Sequence, residues 1–380
     1  MKIRIVGAGP AGLCFASLMK RADRSHDIAI VERSPRDATW GFGVVFSDRA
    51  LEFLRADDEA LVRELAPHFE SWPRIAIVHD GTRVPVAGNG FSSIGRLQLL
   101  TLLHRHVEGL GVPIRFDAEA TSLAGFADAD VVVAADGAFS SIRGAREAAF
   151  GTTVDWRPNR FIWYGTTKAF DSLTLTFRRT AHGVFCAHHY RYAPDRSTFL
   201  VEVTEPTWQR AGFERMDERE TLAACERAFA ADLEGHPILS NRSHWRRFPA
   251  VWNERWSTGN VVLLGDALRT AHFSIGSGTR LAMEDAVALA KAFAACGNDV
   301  PAALARFQAE RLPPVRKICD AANASLRWYE QMDERVSALD PLEFAYSYMT
   351  RTGRVDHAEV RRLDPALAAA YEARHPQAAA

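Results

Sequence analysis

Cysteine is scarce in this 380-residue chain: five residues (Cys14, Cys186, Cys225, Cys296, Cys319), scattered and never spaced CxxC. An odd, dispersed set argues against a disulfide framework and against a zinc site, and it suits a reducing compartment. Excess charge is also missing, with 46 Lys and Arg against 47 Asp and Glu and a formal net charge of −1. A nucleic-acid partner is therefore not expected, because binders usually carry a basic stripe. No apolar run approaches the roughly 18 residues of a membrane span, so stable membrane insertion is not expected. Strand-like sequence begins at Lys2, so no secretory leader is expected and a cytoplasmic location is. The hydrolase signatures GxSxG and HExxH do not occur.

What is present is a large apolar fraction, 47% of residues, enough for an extended core. The order of patterns predicts an α/β protein. Lys2–Val6 reads as a buried strand, a glycine turn follows, and Pro10 suits the first turn of a helix running to about Arg24. Ile28–Val31 is a second strand ending at Glu32, Gly41–Phe46 a glycine-punctuated loop, Arg96–Val107 a helix and Asp130–Ala135 another buried strand. From about Trp156 the texture becomes β-rich and aromatic: Phe161–Thr166, Leu173–Arg178, Val184–Tyr190 and Thr198–Val203 predict an antiparallel sheet. An amphipathic helix is expected over Asp217–Leu233, a strand over Val261–Leu264, and helices over Gly278–Ala295 and Pro301–Gln331, the latter broken near Pro313–Pro314. The expected fold is a Rossmann-like nucleotide-binding domain with a parallel sheet, formed by residues 1–155 and 257–330. A β-rich substrate domain (156–256) is inserted in it, and C-terminal helices (331–380) follow.

Gly7-Ala-Gly9-Pro-Ala-Gly12 is a GxGxxG turn between strand and helix. Glycines there allow a tight turn and let backbone N–H groups meet a pyrophosphate at the helix N-terminus. Glu32, with Arg33 beside it, stands where an adenosine ribose is met. The turn implies a dinucleotide without choosing FAD or NAD. Two further strand-end motifs follow: Asp136-Gly137 with Ser140 and Arg143, and Gly265-Asp266 after Val-Val-Leu-Leu.

In this order and at these separations the three motifs resemble the single-component FAD-dependent aromatic hydroxylases with a p-hydroxybenzoate-hydroxylase-like fold. The resemblance implies that Asp266 meets the ribityl chain of FAD, that the Asp136 segment serves FAD, and that Arg96, followed by Leu99 and Leu103, contacts FAD. GFGVVFSD (Gly41–Asp48), FIWYGTTKAFD (Phe161–Asp171) and GDALRTAHFSIGSGTRLAMEDA (Gly265–Ala286) are similar to the salicylyl-CoA 5-hydroxylase and anthraniloyl-CoA monooxygenase branch, and more loosely to a hydroxylase of violacein synthesis. Arg269 stands where the broad family has His, and Phe273 where it has Pro.

The resemblance implies hydroxylation of an aromatic ring through a flavin C4a-hydroperoxide, with NADH or NADPH as electron donor, O2 as co-substrate and a small aromatic substrate, possibly a CoA thioester. A monomer or homodimer is expected. His272, in the loop after Gly265-Asp266, has near-neutral titration suited to proton transfer. His188 and Tyr164, on the expected pocket-wall sheet, complete the candidate catalytic set, with satisfied core residues as the competing reading for all three. Alternation lets only one of His188 and His189 face a pocket. Trp163, Phe185 and Phe199 read as core, while Gly276, Gly278 and Thr279 open the helix expected beside the flavin. Arginines for CoA phosphates are sought among Arg157, Arg160, Arg178, Arg179, Arg191, Arg246 and Arg247, although nearby acids make a mixed-charge surface the default. A free indole or tryptophan-derived substrate is the enzymatic rival. A halogenase is disfavoured by the absence of WxWxIP, and a flavin-binding protein without turnover is the rival of another class.

Overall fold

The computed structural model describes residues 1–47, 52–88 and 90–378. Asp48, the last residue of the GFGVVFSD motif, lies outside the described residues. Two large sheets organise the molecule. In the first, Lys2–Val6 pairs in parallel with Asp27–Val31 on one side and Val131–Ala134 on the other. Val261–Leu263 extends the sheet in parallel beyond Val131–Ala134, and Ile114–Arg115 does so beyond Asp27–Val31. Ile3, Ile5, Val131, Val133 and Val262 are fully buried in one hydrophobic core, as strands of parallel sheets usually are. The helix Pro10–Ala22 packs against Gly278–Ala295 beside the sheet.

The second sheet has eight strands, and a single long strand, Thr152–Thr166, runs from the nucleotide fold into it. Its antiparallel centre joins Thr152–Thr166 to Arg196–Val203, then Gly183–Ala193, then Leu173–Thr180. The sheet also takes in Ile75–His79, in parallel with Leu173–Thr180, and Thr82–Val86. These two strands come from the segment that the sequence pattern assigns to the nucleotide fold, so the substrate-side sheet is not one continuous insertion. Asp80 and Gly81, both at positive φ (46° and 99°), join them in a two-residue hairpin turn.

Alternation sorts the sheet's side chains. Ile162, Tyr164, Phe185, Ala187, Phe199 and Val201 face one way, into a core closed by Cys225 and Phe229 of the Asp217–Leu233 region. That region forms two helices, Glu218–Ala228 and Ala230–Leu233, rather than one. The other face carries Phe161, Trp163, His188 and Leu200.

Two expectations need correcting. Gly41–Phe46 is not all loop: Gly43–Ser47 is a strand paired with Phe91–Gly95, and the β-branched Val44 and Val45 suit it. Nor do Pro313 and Pro314 break their helix, which runs unbroken over Val300–Glu330. Both prolines are exposed while Val315 beside them is buried. The carbonyls they leave without N–H partners face water, and the buried stripe holds the helix in place. Among the described residues no helix is long and apolar enough to cross a membrane.

Candidate active site

Gly7, Asp136 and Gly265-Asp266 follow the ends of three adjacent parallel strands, Lys2–Val6, Val131–Ala134 and Val261–Leu263. Ligands of open α/β sheets bind at that carboxyl edge. Gly7 has φ +104°, and a Cβ there would stand 2.3 Å from the Ala135 carbonyl oxygen. A Cβ on Gly12 would stand 2.3 Å from the Gly7 carbonyl oxygen, whereas one on Gly9 would meet nothing within 4 Å. Two of the glycines are thus required by packing, and the middle one leaves an open approach to the helix N-terminus. Arg143 ties the second turn to the third, donating to the carbonyls of Ala138 (2.6 Å) and Ala267 (3.0 Å).

Two hollows meet along this edge. The first, about 190 Å³, is lined by Gly7, Gly9, Glu32, Arg33, Arg96 and Asp136. The second, about 420 Å³, shares Gly9 and Arg96 with it and reaches Asp266, Gly276, Gly278 and Thr279. Glu32 accepts from the N–H groups of Ala8 and Ser34, each at 2.8 Å, which leaves a lone pair on each oxygen for ribose hydroxyls. Asp136 Oδ2 accepts from Ser141 N at 2.8 Å, while Asp136 Oδ1 and Arg96 Nε are buried without a partner. Unpaired buried polar atoms are costly, so these two point to a polar ligand. Asp266 exposes its carboxylate to the second hollow. Burial raises its pKa, opposed by Arg269 and Arg96. Burial lowers the pKa of Arg96, opposed by Asp266. The donor set, the open Gly9 cradle and the extended shape fit an FAD molecule lying from Glu32 to Gly278. Of the cofactor-binding residues expected from the sequence, Gly7, Gly9, Glu32, Arg33, Arg96, Asp136, Asp266, Gly276, Gly278 and Thr279 line the two hollows, whereas Gly12 and Gly265 are buried in the turns behind them.

The candidate catalytic residues separate. His188 lines the second hollow, and its Nε2 lies 3.1 Å from Glu202 Oε2. Glu202 is 1% exposed and also accepts from Asn159 Nδ2 at 2.8 Å. Burial pushes the Glu202 carboxyl up, but the His188 hydrogen bond, the nearby His272 and Asn159 together hold it below the ordinary range. His189 points to the other face, bonded to Thr176 Oγ1 at 2.9 Å and stacked on Phe199.

Tyr164 does not reach the hollow. It pairs in register with Phe199, and both enter the opposite core. Its hydroxyl is buried without a partner, and burial raises its pKa. It is a core residue because Trp163, one position earlier, takes the cavity face.

His272 is also displaced from the expected place. It is 3% exposed and does not line the hollow. Its Nδ1 accepts from the N–H of Ser274 (3.4 Å) and lies 2.8 Å from Ser274 Oγ, so it caps the short turn Phe273–Ile275. Its ring packs on Phe248 and Phe273, and burial lowers its pKa to about 4. It stands behind the wall.

Phe185 and Phe199 are core, as the pattern suggested, but Trp163 lines the hollow with its indole N–H buried and unpartnered. Leu173, Leu175, Leu200, Phe248 and Phe273 add apolar wall. Tyr348 and Arg351 come from the C-terminal helices, where sequence reasoning placed no site residue. Arg351 donates to Ser325 Oγ (2.9 Å) and to the carbonyls of Tyr348 (2.7 Å) and Ser274 (3.1 Å), and it forms no ion pair among the described residues. The surrounding segment carried no motif that could have flagged it. Arg269, the departure from the broad family, lies outside the hollow. It donates to Asp285 (2.7 Å) and to the Gly265 carbonyl (3.1 Å), bracing the turn from behind.

Comparison with known proteins agrees with this geometry. The model of the FAD binding domain family matches residues 1–322. A salicyloyl-CoA 5-hydroxylase from a Streptomyces species is 40% identical over 379 residues, covering 96% of this chain and 73% of that protein. The 3-hydroxy-4-methyl-anthranilyl-[aryl-carrier protein] 5-monooxygenase of Streptosporangium sibiricum is 38% identical, covering 88% of this chain and 90% of that one. Among solved structures, 2-methyl-3-hydroxypyridine-5-carboxylic acid oxygenase superposes with a TM-score of 0.71 at 16% identity, over 95% of both chains. The chain belongs to the FAD binding domain family, as one of its FAD-dependent aromatic monooxygenases.

Proposed function

We propose that this enzyme hydroxylates an ortho-substituted aryl-CoA thioester, salicylyl-CoA at ring position five, giving gentisyl-CoA, with NADH or NADPH as the electron donor. The observation that carries the reading is the second hollow itself. An aromatic wall of Phe161, Trp163, Phe248 and Phe273 faces one buried imidazole–carboxylate pair, His188 and Glu202, next to the Asp266 turn. Relatives at 40% and 38% identity act, by name, on aryl groups carried as a CoA thioester and on an aryl carrier protein.

When bound, FAD supplies the activation of O2 and the oxygen atom that the ring receives. Glu202 only accepts hydrogen bonds when ionised, so its bond to His188 Nε2 places the imidazole proton there and leaves Nδ1 as the acceptor. His188 is thereby set to take a proton from a ring hydroxyl, which makes the ring more electron-rich and directs attack para to that group. Arg351, a cation whose hydrogen bonds among the described residues go to neutral oxygens of the wall, favours a phenolate over a phenol. The aromatic wall orients the ring and excludes water, which protects the activated oxygen from wasteful decay.

The test compares salicylyl-CoA and anthraniloyl-CoA with the corresponding free acids, indole and tryptophan, following NADH loss and hydroxylated product together. The thioesters are expected to accelerate NADH oxidation and to appear as products carrying one added oxygen. Hydroxylation of a free acid or indole, with the thioesters inert, would overturn the reading.

A further inference from the structure

The arginines that a CoA tail needs can now be sorted by what each already holds. Arg157, Arg160, Arg178, Arg179 and Arg191 are paired with Glu330, Glu205, Asp232, Asp80 and Glu70 respectively. Arg246 and Arg247 form no ion pair among the described residues, and neither does Arg242; Arg246 and Arg247 lie on the rim of the second hollow. Arg247 is occupied by the carbonyls of Arg157 and Trp156. Arg246 and Arg242 are not so occupied. Each guanidinium carbon lies 6.0 Å from the centre of the Trp40 ring. Trp40 is 49% exposed, which is unusual for so large an apolar side chain, and it lines the first hollow. The cluster therefore sits where the two hollows meet.

The cluster is held in place from several directions. Asn241 Nδ2 reaches the carbonyls of Thr39 (3.1 Å) and Gly41 (3.3 Å), the residues on either side of Trp40. Arg242 has φ +53°, a left-handed conformation that is strained for a non-glycine residue and that functional sites commonly retain. Arg246 Nε donates to His244 Nε2 at 2.8 Å, and His244 Nδ1 lies 3.1 Å from the Arg242 carbonyl, the contact that the Nδ1–H tautomer makes. An exposed indole face and two cations without carboxylates among the described residues, one of them held by a neutral hydrogen bond, match a purine ring and its phosphates: bases stack on aromatic faces, and guanidinium forks grip phosphate oxygens.

We propose that Trp40, Arg242 and Arg246 anchor the adenosine-phosphate end of the CoA thioester while its aryl end occupies the cavity. This rests on the aryl-CoA reading above. The nicotinamide donor carries the same adenosine-phosphate chemistry, so the test has an arm for each source.

FAD-loaded wild type and the variants Trp40→Ala, Arg242→Met, Arg246→Met and Arg246→Lys are titrated calorimetrically, first with S-methyl-coenzyme A and then, without oxygen, with NADH. Each neutral variant is expected to weaken S-methyl-coenzyme A binding by about tenfold, the loss of one charge-assisted phosphate contact or one stacked base. Arg246→Lys recovers part of that loss, and NADH binding is unchanged. Weakened NADH binding with S-methyl-coenzyme A unaffected would give the site to the donor and overturn the proposal. Loss of the yellow FAD absorbance in Trp40→Ala would assign the indole to the resident cofactor and overturn it too. The two readings fail separately. Wild type that hydroxylates salicylyl-CoA while all variants bind S-methyl-coenzyme A normally sinks the anchoring site alone. Binding lost in the variants, with no aryl-CoA hydroxylated by wild type, sinks the substrate reading and leaves the site.

Discussion

Replacing His188 by leucine strikes the buried pair at the cavity wall, and its cost follows from what remains. Among the described residues Glu202 keeps only the Asn159 amide, at 2.8 Å, and it is 1% exposed. A carboxylate that loses one of two neutral donors inside the protein is left poorly compensated, which typically costs about 2–3 kcal/mol. Adding Glu202→Gln removes the charge and keeps a carbonyl oxygen for Asn159, so the double variant should recover roughly 2 kcal/mol of that loss. Urea unfolding of the FAD-loaded proteins at pH 7 reads both numbers through the midpoint, provided the slope is unchanged. The His188→Leu deficit should also shrink as pH falls, because protonating Glu202 removes the uncompensated charge. In turnover, His188→Leu should retain FAD yet form less hydroxylated product per NADH, with hydrogen peroxide making up the difference. A His188→Leu cost below about 1 kcal/mol, undiminished by the second substitution or by acid, would refute the coupling on which the proton-transfer role rests.

Asp266→Ala should purify largely colourless, since among the described residues lining the second hollow Asp266 alone carries a carboxylate; full FAD occupancy in that variant would displace the cofactor from this path. Gly7→Ala places a methyl 2.3 Å from the Ala135 carbonyl at φ +104°, so it should lose several kcal/mol of stability together with FAD, measured by thermal unfolding and by the visible spectrum. For His272 the sign is set by its depressed pKa. Buried and neutral in the folded protein, it contributes stability that is fully present above the ordinary imidazole value near 6.5 and is lost as pH falls toward about 4. A displacement of that size amounts to about 3 kcal/mol. His272→Asn keeps an acceptor for the Ser274 N–H and should flatten the acid side of the stability profile, and an unchanged profile between pH 6.5 and 4 would remove this account.

How far the site could be read in advance depended on which backbone signals were local. The three glycine–acid turns were legible because their chemistry is carried by neighbours in sequence: a positive φ at Gly7, a strand end before it and a helix start after it. The eight-stranded sheet was half legible. Its central strands show β-rich texture, but Ile75–His79 and Thr82–Val86 were passed over although Asp80-Gly81 is a hairpin signal. The side chains at the reacting end were the least legible, because facing is decided by register. His188 and His189 are indistinguishable one residue apart until the pairing of His188 with Leu200 sets which face looks at the cavity. The same parity sent Trp163 in and Tyr164 out, opposite to the reading from residue type, in which a tyrosine hydroxyl looks more chemical than an indole. His272 failed for a different reason: its loop does line the cavity, at Ala271 and Phe273, but its ring turns back to cap Ser274. Arg351 arrives from the C-terminal helices and Arg246 from a strand that pairs it with Phe161, so proximity to the cavity exists only after folding. Both line the cavity without a carboxylate partner among the described residues. That property belongs to three-dimensional pairing, and it separates cations that hold the protein together from cations left to meet a substrate.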